Sequence, residues 1–118
     1  MHNKNKILVT GGAGYIGSHI VEQLVNQKNK IIIIDNLVTG YKRLINKKAK
    51  FIKADLKNKK NLNNIILKNK IHTIIHLAAY LNVSEAESNK KKYFRNNVIG
   101  TKNLVEACKN SEVKNIIY

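Results

Sequence analysis

Short aliphatic runs alternate with amphipathic stretches along the whole chain. Lys6–Thr10 (KILVT) is an apolar run that ends in glycines, which predicts a buried strand. Over residues 15–27, Ile16, Ile20 and Leu24 recur at helical spacing, joined by Val21 and Val25, which predicts an amphipathic helix. Residues 30–34 are β-branched and uninterrupted, the pattern of a strand covered on both faces. Residues 35–41 hold Asn, Thr and Gly and read as a loop. A third strand is expected at 51–53, closed by Ala54, Asp55 and Leu56. A weaker helix at 58–69 carries Leu62, Ile65 and Ile66, and a fourth strand covers 72–77. Ser84 is placed to cap a short helix reaching Glu87, with Glu85 and Glu87 near its positive end. A longer helix is expected over 91–109, with Phe94, Asn97, Val98, Thr101, Leu104, Val105 and Cys108 as its inner face, and residues 115–118 begin a fifth strand.

Strands separated by helical crossovers favour a parallel sheet with right-handed connections. The fold class is therefore α/β, a doubly wound parallel sheet of order 3-2-1-4-5, forming one domain over residues 1–118 that breaks off in strand five.

Thr10-Gly11-Gly12-Ala13-Gly14-Tyr15-Ile16-Gly17 stands between the first strand and the first helix. It contains both G-x-x-G-x-x-G (Gly11, Gly14, Gly17) and G-x-G-x-x-G (Gly12, Gly14, Gly17). The first glycine permits the sharp turn, the middle one lets backbone approach a pyrophosphate, and the last allows close packing of the helix on the sheet. The free N–H groups and positive dipole end of the helix would face the phosphates. Asp35 follows the second strand, 18 residues after Gly17, close to the spacing expected of an acid that binds a ribose. Strand, turn, helix and acid together point to a Rossmann-type dinucleotide site rather than an ordinary strand-to-helix turn. A carboxylate at Asp35 accepts from ribose hydroxyls and repels a 2′-phosphate, so NAD is expected over NADP, with Lys42 and Arg43 near enough to soften the preference.

Composition changes this picture little. The formal net charge is +15, which on its face suggests a polyanionic partner. Yet 20 lysines, 18 asparagines and 17 isoleucines make up 55 of the 118 residues, and there is no proline. These are residues of A/T-rich codons, and the lysines lie among asparagines without interleaved aromatics. Compositional bias accounts for the charge better than a specific nucleic-acid site, and only weak, salt-sensitive polyanion binding is expected. One cysteine, Cys108, rules out an intrachain disulfide and fits a reducing cytoplasm. The first apolar stretch, residues 7–9, runs into glycines, unlike a secretory leader. The longest aliphatic run, residues 31–34, falls far short of the roughly 20 residues of a membrane span.

Other clusters read as structural. His72 and His76 are four apart, about 13 Å along a strand, too far to share a metal ion, and His72 reads as an edge residue of its strand. His19 reads as a surface or packing residue, Cys108 as a small hydrophobe, and Glu85 and Glu87 as a solvated pair. No metal site is expected.

The stretches VTGGAGYIGSH and IDNLVTG, with Ala54-Asp55-Leu56, His76-Leu77-Ala78-Ala79 and Asn96-Asn97-Val98-Ile99-Gly100-Thr101, resemble the extended short-chain dehydrogenase/reductase family. Within that family they are most similar to the UDP-glucose 4-epimerases. The resemblance implies that Tyr15 and Ile16 offer backbone amides to the pyrophosphate, and that Asp35 and Asn36 hold the adenosine ribose, with Thr39 and Gly40 closing the loop around it. It implies that Asp55 bonds the adenine amino group while Leu56 packs on the ring, and that Leu77, Ala78 and Ala79 form a floor below the cofactor. Asn97 would sit near the nicotinamide half, although a buried amide satisfying a distorted helix turn explains it equally well.

The family's Ser/Thr and Tyr-x-x-x-Lys follow strand five, so Tyr118 does not match the catalytic tyrosine and no catalytic residue is assigned. The implied protein is a homodimeric, NAD-dependent isomerase acting on a UDP-hexose through a 4-keto sugar, of which these residues are the cofactor-binding part, without turnover on their own. Related 4,6-dehydratases and decarboxylases share these motifs. A stand-alone module binding NAD, or RNA nonspecifically, is the rival from another class.

Overall fold

A computed structural model describes residues 6–78 and 87–118. Five strands, β1 (Lys6–Thr10), β2 (Lys30–Asp35), β3 (Lys50–Lys53), β4 (Thr73–His76) and β5 (Asn115–Ile117), form one sheet of order β3-β2-β1-β4-β5. Every neighbouring pair is parallel. The expected topology stands, with strand limits shifted by a residue or so. The helices are α1 (Tyr15–Asn26), α2 (Lys59–Lys68), α3 (Lys90–Tyr93) and α4 (Gly100–Cys108), and a π turn at Phe94–Ile99 joins the last two.

The uninterrupted aliphatic strands feed two cores because successive side chains point to opposite faces. Ile7 and Val9 of β1 and Ile31 and Ile33 of β2 pack with Val21 of α1, against Leu24 and Val25. Leu8, Ile32, Ile34 and Ile74 point the other way, onto Leu62, Ile65 and Ile66 of α2 and Leu104 and Ala107 of α4. Helices thus cover both faces, and the carboxyl ends of β1, β2 and β4 meet at one edge of the sheet. Asn69 fastens the end of α2: its amide donates to the Ile65 carbonyl at 2.8 Å and its oxygen accepts from Lys50 Nζ at 2.9 Å.

The expected inner face of the 91–109 helix needs correction. Phe94 (57 % exposed), Val98 (50 % exposed) and Val105 lie outward, while Asn96, Gly100, Asn103, Leu104 and Ala107 are buried. The reason is the surface this helix meets. Asn103 Nδ2 donates to the Leu56 carbonyl at 2.9 Å, and a Cβ on Gly100 would stand 3.1 Å from Leu56 Cβ. The helix therefore seats an amide and a glycine on the loop after β3, while Leu104 keeps its expected place in the core with Cys108 packed against it. Ser84 and Glu85 lie outside the described residues, so the short helix expected there is not described. Glu87 is exposed, and Asn89 caps α3, accepting from the Lys92 N–H at 3.2 Å.

Candidate functional site: a cavity at the carboxyl edge of the sheet

Gly11 leaves β1 with φ +73°, a conformation in the left-handed region that side chains resist. Its N–H donates to the Ile34 carbonyl at 2.8 Å, and a Cβ there would lie 2.9 Å from the Ala78 backbone nitrogen. The Gly14 N–H turns back to the Gly11 carbonyl at 3.1 Å, and α1 starts at Tyr15. No side chain caps this end and no acid stands in the first turn, so the N–H groups of Tyr15, Ile16 and Gly17 have no partner within the helix. A Cβ on Gly17 would run into the Gly11 carbonyl. The last glycine therefore lets the helix close onto the turn itself, rather than onto the sheet as expected.

Asp35, 8 % exposed, sits at the end of β2 between two loops. Its Oδ2 accepts from the Ala13 N–H at 3.0 Å and its Oδ1 from the Leu37 N–H at 2.8 Å. The Tyr41 N–H donates to the Ala13 carbonyl at 3.0 Å, drawing the 36–41 loop back over the glycine turn. Gly40 is where this loop passes the acid: a Cβ there would lie 2.8 Å from Asp35 Oδ2.

These parts open onto a cavity of about 770 Å³, within the usual range of ligand sites. Gly11, Gly14, Tyr15, Ile16, Gly17, Asp35, Asn36, Thr39, Gly40, Leu56, Leu77, Ala78 and Asn97 all line it. Ala79 lies outside the described residues. Asp55 does not line the cavity; its neighbours Ala54 and Leu56 do. The Asp55 carboxylate instead accepts from the Lys57 N–H at 2.9 Å, stands 3.4 Å from Asn36 Nδ2, and pairs with Lys57 Nζ at 3.6 Å. Lys42 and Arg43 lie in a 3-10 turn off the cavity wall, where Arg43 stacks over the Tyr41 ring. Asn97 stands in the π turn, half-buried, and lines the cavity, its side-chain oxygen accepting from Asn96 Nδ2 at 3.0 Å.

Sequence reasoning missed part of the wall: Ile34, Ala54, His76, Asn96, Thr101 and Tyr118. His76 is the instructive one. Its Nδ1 lies 2.6 Å from Thr10 Oγ1 and its Nε2 2.9 Å from Thr101 Oγ1, and the Tyr118 ring meets it edge-on at 5.8 Å. Burial holds its pKa below the ordinary histidine value. The signal available was the polar Thr10 and His76 at the ends of two otherwise aliphatic strands that pair in register. His72, one residue before β4, donates its N–H to the Lys6 carbonyl and accepts from the Lys114 N–H, so it is paired on both sides within the sheet.

The residues that build this cavity fall inside the match to the NAD dependent epimerase/dehydratase family, which covers residues 7–118. The chain belongs to this family. It is 39% identical over 113 residues to the UDP-glucose 4-epimerase of Lactobacillus helveticus, an alignment covering 96% of this chain and 34% of that protein. Among solved structures, the UDP-glucose 4-epimerase of Thermus thermophilus in complex with NAD superposes with a TM-score of 0.92 at 34% identity, over 96% of this chain and 36% of the other. The Thermotoga maritima UDP-glucose 4-epimerase with UDP-glucose gives 0.92 at 32% identity, over 94% and 36%. The chain thus spans about a third of the length of each of these relatives, and the matches confirm both the family resemblance and the Rossmann-type fold.

Proposed function

We propose that this chain is the NAD-binding portion of a nucleotide-sugar epimerase that interconverts UDP-glucose and UDP-galactose. One observation carries the reading: the uncapped amides of α1 and the Asp35 carboxylate line the same cavity. The residues fit the cofactor. A phosphate-sized anion needs bare N–H groups at a helix N-terminus and no Cβ in its way, and Gly14 and the start of α1 supply both. A ribose needs an acceptor fixed in place, and Asp35 is fixed by two backbone donors.

In this reading Tyr15 and Ile16 hold the pyrophosphate through their N–H groups. Asp35 and Asn36 hold the adenosine ribose, under the loop of Thr39 and Gly40. Leu56 and Ala54 give the adenine an apolar wall. Leu77 and Ala78 form the floor, and Asn97 borders the nicotinamide half. When bound, NAD supplies reversible hydride acceptance at the sugar. This chain's residues bind and orient it, and none of them moves a proton. The 118 residues contain no Tyr-x-x-x-Lys, so binding without turnover is expected of them alone. The UDP-hexose and a homodimeric partner belong to the whole enzyme in this proposal.

Calorimetric titration with NAD and NADP tests the reading. NAD should bind at least about tenfold more tightly than NADP, and Asp35→Asn should narrow the gap. Equal affinities in the unaltered chain refute the ribose clamp. No binding of either refutes the dinucleotide reading.

A further inference from the structure

Thr10, His76 and Thr101 form a hydrogen-bond chain whose polarity is set from the Thr101 end. Thr10 Oγ1 accepts from the Ala78 N–H at 3.2 Å and, at 3.0 Å, from the Leu77 N–H, whose proton it shares with the Thr10 main-chain carbonyl at 3.1 Å. His76 Nδ1 lies 2.6 Å from the same hydroxyl. At the other end, Thr101 Oγ1 lies 2.7 Å from the Asn97 carbonyl oxygen, which can only accept. The Thr101 proton goes there, and its oxygen accepts from His76 Nε2 at 2.9 Å. With Nε2 carrying the proton, the neutral ring is bare at Nδ1 and accepts the Thr10 hydroxyl proton.

This chain of bonds spans two separate walls of the cavity. Thr10 lies under the glycine turn and receives the N–H groups of the floor residues Leu77 and Ala78. The Asn97 carbonyl belongs to the π turn, where backbone pairing slips by a residue, a feature common at functional sites. We propose that His76 is a positioning residue for the bound dinucleotide, its single tautomer acting as a strut that sets the spacing between the cavity floor and the π turn bearing Asn96 and Asn97. The proposal rests on the NAD reading of this cavity. The groups meeting the ring are the Thr10 hydroxyl from β1, the Thr101 hydroxyl from α4 and the Tyr118 ring beyond β5.

Nitrogen-15 spectra of the histidine-labelled chain and NAD titration of two Thr101 variants test it together. The unaltered chain should show His76 protonated at Nε2 alone at neutral pH. Thr101→Val removes the hydroxyl but keeps the side-chain shape. It should bind NAD about tenfold more weakly and lose the single-tautomer signature, and Thr101→Ser should restore both. A His76 protonated at Nδ1, or averaging between tautomers, in the unaltered chain overturns the proposal, and this measurement needs no variant to fold. So does a folded Thr101→Val that binds NAD as tightly as the unaltered chain. Failure of the unaltered chain to bind NAD overturns the cavity reading itself. That outcome is recognisable because Thr101→Ser then has no affinity to restore, whatever the tautomer.

Discussion

The backbone N–H of Ala13 donates to Asp35 Oδ2 at 3.0 Å, so the acid that closes β2 is anchored to the turn that follows β1. The two halves of the candidate site are thereby one mechanical unit. The acid's other oxygen is held by Leu37, and the Ala13 carbonyl by Tyr41.

Asp35→Asn should therefore cost stability as well as cofactor preference. An amide has one accepting oxygen, so its NH2 must face either the Ala13 or the Leu37 N–H. A buried donor left facing a donor costs about 1–3 kcal/mol. Urea unfolding of the two proteins measures this, and an unchanged midpoint would show that the carboxylate is not held as described.

Gly40→Ala should weaken NAD while leaving the fold intact. The new methyl would stand 2.8 Å from Asp35 Oδ2, and either the loop or the carboxylate must give way. Affinity is expected to fall about tenfold, with a melting temperature close to that of the unaltered chain. Gly11→Ala differs. It places a side chain at φ +73° and against the Ala78 backbone, so a stability loss of about 1–3 kcal/mol or more is expected from thermal melting.

Neighbouring residues of α2 should separate sharply. Ile66 is 1 % exposed in the core beneath β1 and β4, whereas Leu67 is 53 % exposed. Ile66→Ala should cost about 2–5 kcal/mol, and Leu67→Ala less than about 0.5 kcal/mol. Chemical denaturation of the pair would expose a helix rotated from this position.

Acid should destabilise the chain through His76. Burial lowers its folded-state pKa below the ordinary 6.5, so the unfolded chain takes up the proton first as pH falls. This contribution is whole above the unfolded value, declines as pH drops through it, and levels off below the folded value. Urea midpoints measured across that window should fall with pH in the unaltered chain and fall less in His76→Asn. Parallel pH profiles would show that His76 does not titrate as its burial requires.

The fold was legible because β1, β2 and β4 each centre on an aliphatic run and the glycine turn marks the junction of β1 with α1. The turn, Asp35 and the 36–41 loop were legible for the same reason, since spacing alone places them at one sheet edge. The face of α4 was legible only in part. Leu104 lies in the core as its spacing requires, but Asn103 bonds the carbonyls of residues 56 and 57 and Gly100 meets the Leu56 side chain, and a hydrophobic pattern cannot register an amide bonding a carbonyl. The place of Asp55, bonded to the Lys57 N–H and absent from the cavity wall, was equally invisible. The Thr10–His76–Thr101 chain links residues 66 and 25 positions apart: the strand register brings Thr10 to His76, and the seating of α4 brings Thr101.

At the start of α1 three glycines bring no side chain to the cavity, and the Tyr15 and Ile16 side chains are mostly exposed. Such a cradle is written in omissions. The outer surface can fill with lysine and asparagine, and the residues at 15 and 16 can change, while the cradle keeps its shape. A single carbon added at Gly11 or Gly17 would reach further than many changes of charge.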